Sequence, residues 1–245
     1  LQAHRGGPEG PENSLAAIRS AAEAGFDRAE IDVQLLADGR WALHHDATTG
    51  RVVGGFPKPT FLIESGEWKG RPLKGRDGEP AAGSPALLAE ALRTAEREGI
   101  ALNVEIKGKY SCAAVRTLAR EVTGAPDGLR HVFTSVDTAA LECVRATAPN
   151  AYVGAIVAPS ADALADKHAD ALSKGRELAS KLGFDTGKAE RAAKDAYGAF
   201  DNDELLTAEG ARAVASRLGP EAGLHVPADT LERTSWFRAA RDAGL

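Results

Sequence analysis

Short apolar runs alternate with helical segments along this chain, and one link breaks the rhythm. The runs are Leu1–Ala3, Phe26–Leu35, Arg40–His45, Ile100–Lys107, His131–Ser135, Ala151–Val157 and Leu224–Val226. Helical segments are expected at Ser14–Ala24, Pro85–Glu98, Ser111–Thr123, Thr138–Ala146, Thr207–Arg217 and Leu231–Asp242. Strands alternating with helices build a parallel sheet with helices outside it. About seven strands in 245 residues predict an α/β fold of the TIM (β/α)8 type, a barrel of roughly 250 residues, with one strand lacking. A doubly wound sheet is not supported, because no glycine fingerprint follows any strand. The break lies between Asp32 and His45, where 12 residues leave no room for a crossover helix. The link is a hairpin or a bare extended return, and either keeps Asp32 near His45.

Reading Ala29–Leu35 as a strand puts Glu30, Asp32 and Gln34 on one face, with Ala29, Ile31, Val33 and Leu35 on the other. Asp38-Gly39 is a two-residue hairpin signal. Pairing across it sets Asp32 opposite His45 and Glu30 opposite Ala47, next to Asp46. Residues 46–84 are rich in Gly, Pro and charge, too long for an idle loop, and predict a lid or substrate-facing insertion above the barrel. Residues 160–200 read as a solvated layer of roughly two helices.

Composition excludes several classes. A net charge of −5 gives no basic face for nucleic acid. No apolar run approaches the roughly 20 residues that cross a bilayer, so stable membrane insertion is not expected. The 43% hydrophobic content fits one soluble domain of barrel size or two small ones. Cys112 and Cys143 imply no disulfide framework, and thiols are favoured over a single bridge. The chain contains no Met, so a leader can precede Leu1. Of the compartments, the cytoplasm is favoured over secretion.

Five acidic or imidazole groups fall at strand ends: His4, Glu30, Asp32, His45 and Glu105. Lys107, two residues past Glu105, faces the same way. In a barrel the C-terminal strand ends floor the active site. Inward Glu30, Asp32 and Glu105 repel one another in a low-dielectric cup, and a divalent cation resolves that. Three carboxylates suit a hard ion, Mg2+ or Ca2+, rather than zinc. A structural Glu105–Lys107 network is the competing reading of that strand. His44 alternates away from Asp32 and reads as structural, and His131, His168 and His225 carry little functional weight.

His4-Arg5-Gly6, Pro11-Glu12-Asn13, Glu30-x-Asp32-Val33, Asp38-Gly39, His45-Asp46 and Asn103-Val-Glu-Ile-Lys107 together resemble, in order and spacing, the glycerophosphodiester phosphodiesterase family. The similarity is firm over residues 1–107, fainter to about residue 157, and rests beyond that on Leu205-Leu-Thr207 and the strand near His225. It implies one barrel domain over residues 1–245 with an insertion after the third strand. It also implies hydrolysis of a small phosphodiester to glycerol 3-phosphate and an alcohol, with one divalent cation. By position, Glu30, Asp32 and Glu105 would ligate the metal, and His4 and His45 would form the general acid–base pair. Arg5 and Lys107 would hold phosphate oxygens, and Glu12 would orient the loop after the first strand. The resemblance further implies a glycerol 2-hydroxyl as first nucleophile, with a cyclic phosphate then opened by water, direct attack by water being the alternative.

The chain departs from the family pattern where it stops at Ala243-Gly-Leu245 without the family's eighth strand, and where Val226-Pro-Ala-Asp229 replaces a Trp-Thr. Two other functions stay open: a lyase-type phospholipase similar to sphingomyelinase D or phosphatidylinositol-specific phospholipase C, and a catalytically silent binding barrel. Against the first stands the lack of an amphipathic or aromatic docking segment. A monomer or homodimer is expected.

Overall fold

The computed structural model describes residues 1–125, 129–157, 205, 207–219, 221–226, 238 and 240–245. The helical layer expected over 160–200 lies outside these residues, as does most of the Leu231–Asp242 helix. The chain divides into two compact units, Leu1–Gly154 and Ala155–Leu245.

The first unit runs β1 (Gln2–Ala3), a 3-10 turn His4–Gly6, α1 (Leu15–Glu23), β2 (Arg28–Leu35) and β3 (Trp41–Leu43). It continues through α2 (Ser65–Gly70), β4 (Leu73–Lys74), β5 (Pro80–Ala81), α3 (Leu88–Glu98), β6 (Ala101–Ile106) and α4 (Cys112–Thr123). Then come β7 (Val132–Ser135) and α5 (Thr138–Thr147), and the division between the units falls within β8 (Val153–Ile156). The parallel order β1-β2-β6-β7, with helices in the crossovers, is the α/β architecture that the alternation predicts. Among the described strands, β1 pairs only with β2. In the second unit, α6 (Ala208–Leu218) starts from a Thr207 cap whose hydroxyl accepts the Gly210 N–H, and β9 (Ala222–His225) follows.

Helix ends obey their local chemistry. Ser14 caps α1 by accepting the Ala17 N–H at 3.1 Å, and Ser111 does the same for α4 with Ala114. β2 and β6 are largely buried on both faces. Ala29, Ile31 and Val33 of β2 and Leu102, Val104 and Ile106 of β6 are fully covered, alternating with Glu30, Asp32, Asn103 and Glu105. Each such aliphatic side chain contributes about 1.5–3 kcal/mol on burial. Those outlays of apolar surface fix the opposite face, which carries the polar groups.

The short link is a hairpin, with β3 antiparallel to β2, but its register differs by one from the sequence expectation. Val33 pairs with Leu43, Gln34 with Ala42 and Leu35 with Trp41. Leu36 N–H donates to Arg40 O, so the loop has three residues, with Gly39 left-handed at φ 81°. Asp32 therefore lies across from His44, whose N–H donates to Asp32 O at 2.9 Å, and not from His45.

Residues 46–84 are a packed insertion rather than a loose strap. Val52, Val53, Ile63, Trp68 and Leu73 form a core with Leu36, Ala42 and Leu87. Trp68 is fully buried and its Nε1 donates to Ala86 O at 3.2 Å. The same stretch leaves Phe56, Phe61 and Leu62 exposed, apolar surface that the sequence reading passed over.

Cys112 at the start of α4 and Cys143 inside α5 form a disulfide, against the thiols expected from their number. Two cysteines 31 residues apart say nothing of their distance until α4 and α5 are known to pack together. Closing a loop of that length restricts the unfolded chain. Reduction, or Cys143→Ser, is expected to lower unfolding free energy by about 3–4 kcal/mol in urea titrations, and an unchanged midpoint would show that the bridge adds nothing.

Candidate active site

The edge of β2 that faces β1 and β3 is paired at Arg28–Ala29 and again at Val33–Leu35, leaving Glu30–Asp32 between. Asn13 fills that gap. Its Oδ1 accepts the Asp32 N–H at 2.9 Å and its Nδ2 donates to Asp32 Oδ2 at 2.7 Å, so a side-chain amide replaces a missing strand. Arg5 N–H donates to Glu30 Oε2 at 2.7 Å. Arg5 and Asn13 both have left-handed backbones, φ 54° and 57°, a conformation non-glycine residues adopt rarely and mostly where surroundings enforce it. Between them the loop lies flat on α1. A Cβ on Gly6 would stand 2.6 Å from Ala17 Cβ, and one on Gly7 would stand 2.5 Å from Ala17 O. Only glycine permits that approach.

Parallel pairing sets Asp32 beside Glu105 of β6. One carboxylate oxygen from each of Glu30, Asp32 and Glu105 lies within 4.8 Å of the others. Glu30 and Asp32 are buried, and the Glu105 side chain is 12% exposed. Glu30 Oε1 and Asp32 Oδ1 are buried without a hydrogen bond. Lys107 Nζ stands 2.5 Å from Glu105 Oε1 and 3.2 Å from Asp32 Oδ1, the latter an ion pair outside hydrogen-bond geometry. The Glu105–Lys107 pairing weighed as a structural network thus exists, but it sits within the acidic cluster.

The electrostatics follow from this crowding. Burial first, then the Asp32 charge, raise the Glu30 carboxyl from 4.5 to about 8, with the Arg5 N–H opposing. Burial also pushes against ionisation of Asp32, but Lys107, His45 and the Asn13 amide outweigh it and hold Asp32 below its usual range. Glu105 is raised, by burial chiefly, with Lys107 opposing and Asp32 reinforcing. Lys107 is raised: burial disfavours its charge, and Asp32 and Glu105 more than offset that.

The two histidines occupy different settings. His4 projects from the 3-10 turn with its side chain 75% exposed, and its Nε2 is 4.0 Å from Glu30 Oε2. Partial loss of solvent and then the Arg5 charge lower its pKa. His45 Nδ1 is 2.9 Å from Asp46 Oδ1. Burial opposes ionisation of Asp46, yet the bonds from His45 and Arg51 hold it far below the carboxylate range. Gln34, the third residue on the carboxylate face, donates to the carbonyls on either side of His45, to His44 O at 3.0 Å and Asp46 O at 2.6 Å. The Gln34 side-chain oxygen accepts from Thr60 Oγ1 of the insertion at 2.6 Å. His44 lies across from Asp32 and not away from it as the expected register had it, yet it is a packed anchor: its Nε2 meets Thr48 O at 3.0 Å and its ring abuts Trp68 edge-on at 5.5 Å.

Arg5 Nη1 meets both oxygens of Glu12 at 3.1 Å, and Arg5 Nε lies 3.8 Å from Asp32 Oδ2. Glu12 thus steers Arg5, and Arg51 joins it from the insertion. Asn13, Asp46 and Arg51 have no assigned place in the sequence reading. Asn13 stood there only within the Pro11-Glu12-Asn13 motif, and Ser14 beside it caps α1. His131, given little functional weight, is buried and its Nδ1 accepts the Leu102 N–H at 2.9 Å.

The glycerophosphoryl diester phosphodiesterase family model matches residues 4–182. A Mus musculus glycerophosphodiester phosphodiesterase 1 is 34% identical over 116 residues, 46% of this chain and 35% of that protein. A glycerophosphodiester phosphodiesterase from Caldanaerobacter subterraneus is 38% identical over 109 residues, 43% of this chain and 44% of that protein. The matched stretches span less than half the length of these two relatives. A glycerophosphodiester phosphodiesterase structure from Agrobacterium tumefaciens superposes with a TM-score of 0.62 at 20% identity, covering 100% of this chain and 83% of that one. An Oleispira antarctica phosphodiesterase in complex with sn-glycerol-3-phosphate gives 0.52 at 23% identity, over 97% and 96% of the two chains. These likenesses establish the α/β barrel class, and with the family model spanning most of the chain, including the acidic cluster and both histidines, the chain belongs to the glycerophosphoryl diester phosphodiesterase family.

Proposed function

We propose that this protein hydrolyses glycerophosphodiesters to glycerol 3-phosphate and an alcohol, using one divalent cation. The observation that carries this is the convergence of Glu30, Asp32 and Glu105 on one buried point, with two carboxylate oxygens lacking hydrogen bonds, in a chain of this family. Three oxygen donors of that kind fit Mg2+ or Ca2+. Bound there, such an ion would neutralise charge building up on phosphorus-bound oxygens.

The protein's own groups supply the rest. Asp46, firmly ionised, can only accept, so His45 Nδ1 carries the hydrogen and Nε2 is left to take up or release a proton. His4 is the second imidazole. One takes the proton from the attacking hydroxyl, the glycerol 2-hydroxyl in the reading preferred here, as its oxygen bonds to phosphorus. The other protonates the departing alkoxide as the P–O bond to the alcohol breaks, and water then opens the cyclic phosphate. Lys107 and Arg5 would steady the phosphate oxygens, with Glu12 holding Arg5 in place. We read residues 1–245 as one catalytic domain, since the family match at 4–182 runs past the division between the two units.

No described helix is long and apolar enough to cross a membrane. The Cys112–Cys143 bridge favours an oxidising compartment, against the preference for cytoplasm drawn from the sequence.

Release of glycerol 3-phosphate from glycerophosphocholine is the direct assay. EDTA is expected to abolish it, and His45→Ala to lower kcat by about 10²–10⁴-fold. Turnover that survives EDTA would overturn the cation's part, and a fully active His45→Ala the imidazole's.

Glu30 yields a second test. Below pH 4.5 the folded and unfolded chains both keep its proton; between 4.5 and about 8 the unfolded chain releases it while the folded one retains it. Stability in EDTA is therefore expected to fall as pH rises through that window and to level off above it, by a few kcal/mol on the order-of-magnitude conversion of about 1.4 kcal/mol per unit. Glu30→Gln should remove the slope, melt higher than wild type at pH 8 in EDTA, and lose the rise in Tm that Mg2+ or Ca2+ gives wild type. A flat wild-type profile would show that Glu30 does not hold its proton.

A further inference from the structure

Arg51 belongs to the insertion, and its guanidinium reaches both Asp46, beside His45, and Glu12 in the loop after β1. Nε donates to Asp46 Oδ2 at 2.6 Å and Nη2 to Asp46 Oδ1 at 2.9 Å, a two-pronged grip on one carboxylate. The same Nη2 donates to Glu12 Oε1 at 2.5 Å. Glu12 holds Arg5, and Asp46 holds His45. The result is a chain of alternating partners, His45–Asp46–Arg51–Glu12–Arg5. It joins the loop carrying one imidazole to the loop carrying Arg5 and the other.

Each link has a physical consequence. Asp46 is a short side chain, 27% exposed, next to the ring it contacts. Without the grip on both of its oxygens, other rotamers and water compete for it. An imidazole that loses its acceptor can carry its hydrogen on either nitrogen, and the one facing the reaction is then no longer fixed. Lysine cannot replace the fork, since a single ammonium offers no planar pair of donors matched to a carboxylate. The Arg51 donors Nε and Nη2 are already committed to carboxylates, which separates its task from binding a phosphate.

We propose that Arg51 is a positioning residue: by gripping Asp46 and Glu12 at once it fixes His45 in the Nδ1-protonated form and ties the His45 loop to the His4–Arg5 loop. Its effect on turnover rests on the hydrolase reading given above; its effect on the His45 ring does not.

The test combines a ring readout with kinetics, on wild type, Arg51→Gln, Arg51→Lys, Asp46→Asn and the Arg51→Gln/Asp46→Asn double variant. Long-range 1H–15N spectra of His45 in EDTA, above the pH at which imidazoles titrate, report which nitrogen is protonated. Wild type should show the Nδ1-protonated pattern, Arg51→Gln a mixture, and Arg51→Lys an intermediate. With glycerophosphocholine, Arg51→Gln should lose roughly 10–100-fold in kcat with KM little changed, the usual range for residues that orient a functional group. Since Arg51 acts through Asp46, the double variant should lose little more than Asp46→Asn alone. Arg51 is half exposed, so these variants should fold, and thermal unfolding checks this; should Arg51→Gln fail, Arg51→Lys carries the comparison. An unchanged His45 pattern in Arg51→Gln, or a loss confined to KM, overturns the proposal. A wild type without turnover whose His45 ring still responds to Arg51 refutes the hydrolase reading and supports the positioning role.

Discussion

Glu30, Asp32 and Glu105 crowd their oxygens within 4.8 Å on two adjacent strands, and most of the surrounding structure answers that crowding. Two unit charges about 4 Å apart at an effective dielectric near 20 repel by about 4 kcal/mol, a large fraction of a domain's whole stability. The protein meets this in three ways. Lys107 stands between Asp32 and Glu105, Arg5 N–H and the Asn13 amide bond to Glu30 Oε2 and Asp32 Oδ2, and Glu30 holds its proton to about pH 8. Two oxygens still go without hydrogen bonds. Such a residue of unmet demand is what a site for a hard cation looks like before the ion is counted.

The short first strand is part of the same solution. Because β1 ends at Ala3, the edge of β2 beside Glu30 and Asp32 is open to the loop, and Arg5 and Asn13 enter it with left-handed backbones. Those conformations cost about 1–3 kcal/mol each, and they persist where several contacts fix the same geometry. Here the carboxylates supply the contacts, and Gly6 and Gly7 let the loop rest against α1. Strain, glycine and acid are one arrangement.

Period-two and helical patterning made the strands and helices legible from residues alone, since apolar burial sets both. Glu30, Asp32, Glu105 and Lys107 were legible for the same reason: polar groups alternating with covered apolar ones must share a face. The hairpin register was not. Whether Asp38-Gly39 closes a two- or a three-residue loop depends on the backbone at Ala37 and Gly39, and a slip of one position moves Asp32 from His45 to His44. The roles of Asn13 and Arg51 depend on a positive φ and on the path of a 39-residue separation in sequence, neither of which leaves a periodic trace. The disulfide was hidden similarly, because two cysteines are too few to form a pattern.

His45 nonetheless belongs near the carboxylates, for a reason other than strand pairing. β3 ends at Leu43, and beyond it the chain is held from several sides. Gln34 grips the carbonyls flanking His45, His44 is wedged against Trp68 and bonded to Thr48, and Arg51 grips Asp46. Of these anchors, Trp68, Thr48 and Arg51 lie in the insertion, and Gln34 is itself bonded to Thr60 there. Adjacent histidines are thereby sorted: His44 is a buried anchor, while His45 is partly exposed and bonded to Asp46. The insertion's small core around Trp68 is thus a condition for placing His45, which explains why residues 46–84 are packed onto the hairpin instead of hanging above it.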